Sequence, residues 1–198
     1  MAELFRAVAH VPAVLLLSAL SLPAPAPAAE MEHAGRPVGV DLDSLFSLTT
    51  HRGTHLSMAD LRGRPFVVLF GYTHCPEFCP AALADLSRHL ERLGADGNRL
   101  AVLFVTIDPE RDTAKSLASY LESFDPRIVG LTGSARDVAT VAATFGAKYE
   151  RRSTQGASYS VDHSYLMFLV DKYGLLARRV GYDEPELLAS SSARLLAQ

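Results

Sequence analysis

Two uninterrupted apolar runs constrain this chain more than any other feature. Residues 65–70 (PFVVLF) and 100–107 (LAVLFVTI) have the length of strands and no polar alternation. Runs of that kind form strands buried on both faces, as in a largely parallel sheet covered by helices. Between them Leu83, Leu86, Leu90 and Leu93 recur at helical spacing, with Arg88, Glu91 and Arg92 off that line, and Gly94 is a natural stop. Strand, helix, strand implies parallel pairing through a right-handed crossover.

The rest of the chain extends that unit. Residues 45–49 and 54–56 flank His51-Arg52-Gly53 and read as a small N-terminal β-hairpin. Residues 108–113 (DPERDT) make a turn and a helix start, with Asp112 a candidate N-cap and Arg111 a side chain that could instead meet a partner. A helix over 114–123 and a short strand near 128–131 follow. Residues 134–145 read as a helix capped by Ser134, and residues 150–158 as polar and irregular. Strands at 166–170 and 176–180 enclose the turn Asp171-Lys172-Tyr173-Gly174. The tail, 184–196, is helical with Pro185 in its first turn. This order predicts a three-layer α/β domain over residues 40–198, its sheet parallel early and antiparallel late, the arrangement of a thioredoxin-type sheet.

Composition removes several functions. Nineteen Lys and Arg against 22 Asp and Glu leave a formal charge of −3, which gives no support to the wide basic surface of a nucleic-acid binder. Two cysteines are too few for a disulfide-stapled scaffold or a four-thiolate zinc site. The first 28 residues read as an address: Arg6, then the apolar run 11–22 (VPAVLLLSALSL), then Ala26-Pro27-Ala28 as a cleavage site. The run is short for a membrane span, which takes roughly 20 apolar residues. A cleaved signal peptide over 1–28 is expected, with an uncleaved anchor as the rival. Residues 29–39 follow as a flexible leader. Such a chain would be exported to an oxidising compartment, where neighbouring cysteines tend to form a disulfide.

Chemistry concentrates at Cys75, Cys79 and His163. The cysteines follow the strand 65–70, at the carboxyl edge where open α/β sheets gather ligands. Pro80 suits the first turn of a helix and disfavours helical geometry at Cys79, which places Cys79 at the N-cap and Cys75 in the loop before it. Both sulfurs then sit at the positive end of the helix dipole, which favours thiolates. If the strand 166–170 runs antiparallel to 65–70, it begins at the rim where the other ends, and His163 arrives beside the cysteines. Two thiolates and an imidazole suit copper, as Cu(I) or Cu(II), better than a closed four-ligand zinc site. Asp162 is a candidate support for the site and His74 a candidate modulator of thiol acidity; each reads equally as a solvated surface residue. His51, His55 and His89 carry no assignment. A structural staple is a poor reason for the cysteine spacing, because closing a loop of about five residues stabilises by only roughly 2 kcal/mol.

Residues 70–80 (FGYTHCPEFCP), 108–113 (DPERDT), and 161–164 (VDHS) followed by Phe168-Leu169-Val170-Asp171 resemble the Sco/SenC copper-chaperone family in order and approximate spacing. The resemblance covers about residues 40–196. It implies a thioredoxin-like fold, copper held by Cys75, Cys79 and His163, and a role in maturing the dinuclear copper site of cytochrome c oxidase. That role implies the copper-receiving oxidase subunit as a partner; because copper needs thiolates, a thioredoxin-like periplasmic reductant that restores the dithiol is also expected, as is a copper donor protein. Two departures stand out. Asp171-Lys172-Tyr173-Gly174 replaces the Asp-Pro-x-Gly of many members, and the N-terminus looks cleavable where many members keep an anchor. The location is therefore expected to be periplasmic, soluble or tethered. Two other functions stay open: a thiol–disulfide oxidoreductase acting on the oxidase subunit, and a redox or copper sensor. Against the oxidoreductase, three residues rather than two separate the cysteines. No proline lies between Arg127 and Glu184 to fill a cis-proline position.

Overall fold

Phe66–Gly71 lies in the middle of the sheet with all six residues buried. Its side chains alternate between two cores: Phe66, Val68 and Phe70 enter one, Val67 and Leu69 the other. Ala101–Thr106 repeats the pattern, with Leu103 and Val105 on the first face and Val102 and Phe104 on the second. Double-sided burial is what an unbroken apolar run requires. The architecture is that of a computed structural model, which describes residues 38–39, 42–154 and 158–198.

In chain order the elements are β1 Val38–Gly39, α1 Leu42–Phe46, β2 Thr49–Thr50, α2 Met58–Leu61, β3 Phe66–Gly71, α3 Phe78–Leu93, β4 Ala101–Thr106, α4 Ala114–Leu121, β5 Ile128–Thr132, α5 Ala135–Phe145, β6 Tyr149–Ser153, β7 Tyr159–His163, β8 Leu166–Val170, β9 Leu175–Gly181 and α6 Pro185–Leu196. Seven strands form one sheet in the order β1-β9-β8-β3-β4-β5-β2. β3, β4 and β5 are parallel, while β8 runs antiparallel to β3 and β9 to β8. The fold is therefore the three-layer, mixed-sheet α/β domain of thioredoxin type that the sequence predicts. Residues of α1 and α5 cover one face, and those of α3, α4 and α6 the other. Phe70, Phe145 and Phe168 meet edge-on with centroids 5.6–5.7 Å apart, each such pair adding about 0.5–1.5 kcal/mol to its burial. Among the described residues no helix is long and apolar enough to cross a membrane.

Several local expectations need correction. The N-terminal hairpin keeps its reversal, with Thr49 bridged to His55 and the Thr50 N–H donating to the Thr54 carbonyl at 2.7 Å. Its first arm, however, begins as helix α1, because Leu42 and Leu45, a turn apart, both face the core. β2 instead closes the far edge of the main sheet against β5. The irregular stretch at 150–158 contains strand: β6 and β7 pair antiparallel as a separate two-stranded sheet. β6 is exposed along most of its length and so shows no hydrophobic alternation to read. Helix α4 is capped by Thr113, whose hydroxyl accepts from the Ser116 N–H, rather than by Asp112. Val38–Gly39, the end of the expected leader, pairs with β9. The expected address at 1–28 lies outside the described residues.

Gly71 ends β3 where the chain turns toward the cysteines. A Cβ there would lie 2.7 Å from Cys79 Sγ and 2.7 Å from the Phe104 ring. The absent side chain makes the room that the sulfur occupies. Gly71→Ala is expected to destabilise the protein by about 1–3 kcal/mol, the usual cost of an overpacked core. Urea unfolding checks this: an unchanged midpoint would mean that the sulfur moves aside freely.

Candidate metal centre

The chain leaves β3 at Gly71, and the Cys75 N–H returns to the Tyr72 carbonyl at 3.2 Å. Helix α3 begins at Phe78, so Cys79 is its second residue and not its N-cap; Glu77 takes that position without a side-chain bond. Pro80 is tolerated in the first turn because the N–H it lacks would have no partner within the helix. The Cys79 N–H is one of these orphan donors, and Cys75 Sγ accepts it at 3.4 Å. A sulfur thus does the work of a capping oxygen, and both cysteines meet the positive end of the helix.

His163 ends β7. Antiparallel register pairs Leu69 with Met167, so β8 starts at the rim where β3 finishes. His163 Nε2 lies 3.5 Å from Cys79 Sγ, across 84 residues of sequence. Donor atoms of Cys75, Cys79 and His163 all fall within 4.8 Å of one another and could together hold a metal ion. Cys75 is 7% exposed and Cys79 0%, while His163 is half-buried. Its ring is flanked by those of Tyr165 at 5.0 Å, Tyr72 at 6.2 Å and Tyr182 at 6.2 Å. Tyr165 also lies 4.5 Å from Phe78, and both rings are substantially exposed.

The two thiols are electrostatically unequal. Hydrogen bonding from the Cys79 thiol, opposed by burial and aided by His163 and the Cys79 and Glu77 amides, brings Cys75 down to about 4. Cys79 is pushed far upward by that same hydrogen bond, by burial and by the adjacent thiolate. The two thiols titrate as one coupled pair that shares a proton and a negative charge at neutral pH, the charge favoured on the less buried Cys75.

Of the two supporting residues expected from sequence, neither is turned to the sulfurs. Asp162 projects from the opposite face of β7 and pairs with Arg152 at 2.5 Å, both largely exposed. His74 is more than half exposed and faces Thr73 Oγ1 at 3.1 Å and Asp112 Oδ1 at 3.8 Å. The loop is instead held by Asp112. This fully buried carboxylate accepts from the Thr73 N–H at 2.9 Å, the Thr73 hydroxyl at 2.6 Å and the Thr106 hydroxyl at 2.7 Å. Position in a turn suggests a cap for Asp112, and nothing local in the sequence shows that it faces inward. Tyr72 was legible only as a member of the motif; its hydroxyl accepts the Val161 N–H at 3.3 Å. A cleft of about 360 Å³, lined by Arg52, Arg64 and Arg127 among others, opens at the other end of the sheet and includes none of the three donors.

With the negative charge of the pair favoured on Cys75, its alkylation by iodoacetamide in the reduced, metal-free protein should be nearly independent of pH from 6 to 8. An ordinary thiol would gain about tenfold in rate per pH unit there. Cys79→Ala removes the main donor to Cys75 and should restore the steep rise. A wild-type rate that climbs tenfold per unit would show that the proton is not held on Cys79.

The SCO1/SenC family model matches residues 36–197. The mitochondrial SCO2 homolog of Bos taurus is 41% identical over 133 residues, which is 66% of this chain and 50% of that protein. The mitochondrial SCO1 homolog of Homo sapiens is 36% identical over 145 residues, 72% of this chain and 47% of that protein. The chain thus spans about half the length of these curated relatives. Among solved structures, copper-bound Bradyrhizobium japonicum ScoI aligns with a TM-score of 0.70 at 34% identity, covering 76% of this chain and 96% of that one. Copper-bound yeast Sco1 aligns with a TM-score of 0.68 at 29% identity, covering 77% and 87%. With its fold, its cysteine loop and nearly all of its described length accounted for by that model, the chain belongs to the SCO1/SenC family.

Proposed function

We propose that this protein is an exported copper metallochaperone that binds copper through Cys75, Cys79 and His163 and delivers it to the dinuclear copper site of cytochrome c oxidase. The observation that carries this reading is the convergence of two sulfurs and one imidazole nitrogen within 4.8 Å. Soft thiolates with an imidazole suit Cu(I), and the imidazole extends the site to Cu(II). Copper bound in the Bradyrhizobium and yeast relatives supports the same assignment. The location is periplasmic, soluble or tethered, on the strength of the apolar run and small-residue string at the N-terminus.

Loading requires the dithiol. Where the cysteines have been oxidised to a disulfide, a thioredoxin-like partner dithiol supplies two electrons and is itself left as a disulfide, one of its protons staying on the Cys75–Cys79 pair and the other going to solvent. A donor protein then presents copper. The ion takes the lone pairs of Cys75, Cys79 and His163, and the proton on Cys79 leaves to solvent. Delivery runs by ligand exchange: a donor of the receiving subunit binds the metal before a donor of this protein lets go. The half-buried imidazole and the slightly exposed Cys75 give that exchange an approach.

One observation favours a second reading, the thiol–disulfide oxidoreductase. Cys75 is both the more exposed sulfur and the ionised one, as an attacking nucleophile must be.

Copper titration of the reduced protein separates the two. Cys75→Ala and Cys79→Ala are each expected to abolish stable binding. His163→Ala should weaken Cu(II) by at least the roughly 10–100-fold that even outer-shell changes cost. Calorimetry at pH 7 in buffers of different ionisation enthalpy should show about one proton released per copper, not two. Full Cu(II) affinity and an unchanged spectrum in His163→Ala would remove the imidazole from the site. Rapid reduction of insulin disulfides by a protein that retains no copper would favour the oxidoreductase.

A further inference from the structure

His163 is carried on a hairpin that lies outside the seven-stranded sheet. On its C-terminal side the chain is secured at once, because the Tyr165 carbonyl accepts from the Tyr182 N–H at 3.1 Å and β8 enters the sheet at Leu166. The base of the hairpin is held too, since His163 pairs with Tyr149 and the Ser164 N–H donates to the Lys148 carbonyl at 2.9 Å, so what is left to fix is the tilt of β7 about that base, set at its other end by whatever holds Tyr159. We propose that Asp108, Arg111 and Tyr159 form a clamp that sets the approach of His163 to the sulfurs, which makes Arg111 and Tyr159 positioning residues for the third metal donor. The inference rests on the copper-binding reading of the site.

The geometry is specific. Tyr159 opens β7 and is gripped at three points. Its hydroxyl donates to Asp108 Oδ1 at 2.6 Å. Its carbonyl accepts from Arg111 Nη1 at 3.1 Å. Its ring carries the Arg111 guanidinium 3.7 Å from its centroid. Arg111 Nε in turn donates to Asp108 Oδ2, and Asp108 is fully buried. From β6, Arg151 lies 4.9 Å from the same ring and pairs with Glu110 at 2.8 Å. The loop at 108–111 is therefore joined to both strands of the hairpin.

Strand periodicity makes the clamp relevant to the metal. Tyr159, Val161 and His163 share one face of β7, since side chains two apart point the same way. Val161 is buried at the centre of that face, and its N–H reaches the Tyr72 hydroxyl. Tyr72 also stands edge-on to the His163 ring and 5.8 Å from the Arg111 guanidinium. Four residues of strand span roughly 13 Å, so a tilt released at Tyr159 rotates β7 about its anchored base and re-aims the imidazole there.

A buried ion pair adds little net stability, because desolvation offsets its attraction; its better-attested use is to fix an arrangement. Arg111, partly buried against the fully buried Asp108, fits that use, since its Nε goes to Asp108 and its Nη1 to the Tyr159 carbonyl.

The test compares Arg111→Lys, which loses the forked guanidinium, with Tyr159→Phe, which loses only the hydroxyl. In the metal-free protein, both variants should accelerate amide exchange at Val161 and His163 about tenfold or more while Val68 and Leu103 keep their protection. In Cu(II)-loaded protein, the imidazole-nitrogen splitting in the electron paramagnetic resonance spectrum should fall toward that of His163→Ala. Cu(I) affinity, carried by the sulfurs, should stay within a few-fold of wild type. Wild-type exchange and splitting in both variants would overturn the clamp, and so would an equal acceleration at Val68, which would reveal a general structural role. If Arg111→Lys fails to fold, Tyr159→Phe decides alone. If wild-type protein takes up no copper, the copper reading falls, while exchange at Val161 and His163 still judges the clamp.

Discussion

The antiparallel placement of β8 against β3 is the constraint on which the site depends. β3 is parallel to β4, and a third parallel neighbour would have delivered the chain preceding it to the opposite end of the sheet. Reversal puts the entrance to β8 at the exit of β3, and the register Leu69 to Met167 fixes how far they overlap. A one-residue slip would exchange Met167 and Phe168 between the two cores. The packing that holds Phe168 against Phe70 and Phe145 thus also holds the approach of His163 to the cysteines.

Given that approach, the sulfurs are tuned by a shortage of donors and acceptors at the start of α3. Four amide N–H groups of a helix begin unpaired, and Glu77 offers no side-chain cap. Cys75 fills the gap as a thiolate, which accepts from the Cys79 amide far better than a neutral thiol would. The same sulfur accepts a hydrogen bond from the Cys79 thiol, and burial of Cys79 makes a second ionisation costly. Gly71 is part of this arrangement, because only an absent Cβ leaves Cys79 Sγ its place beside Phe104.

What the sequence made legible divides along the same physical line. β3, β4, α3, α5 and α6 could be read because their signals are local: unbroken apolar runs, leucines at helical spacing, Ser134 as a cap that accepts the Asp137 N–H, and Pro185 in a first turn. The convergence of Cys75, Cys79 and His163 was readable because it needed only a strand direction. β6 and β7 were not, since their pairing rests on backbone bonds and on Arg111 meeting Tyr159 across 48 residues. Asp112 was misplaced because a turn acid and a buried acid look alike until its partners Thr73 and Thr106 are brought in from other elements. Cys79 was displaced by two positions because a sulfur, and not a side-chain oxygen, starts the helix.

Unequal burial of the three donors reconciles holding a metal with releasing it. Cys79 is fully buried, so on the proposed reading an incoming donor would not reach the metal from its side. Cys75 and His163 form the accessible edge, and they are also the donors whose supports are small: a four-residue turn for one and a clamped hairpin for the other. Ligand exchange at such a centre, as proposed, would have a direction. On the proposed reading the imidazole, carried on the peripheral hairpin, would be the first donor to exchange. Cys75 follows as an acid strong enough to survive free of metal at neutral pH. Cys79, the most buried donor and the one whose thiol is pushed upward, would leave last, as a proton returns to it. A site with three equally buried thiolates would bind more tightly and lack any such order.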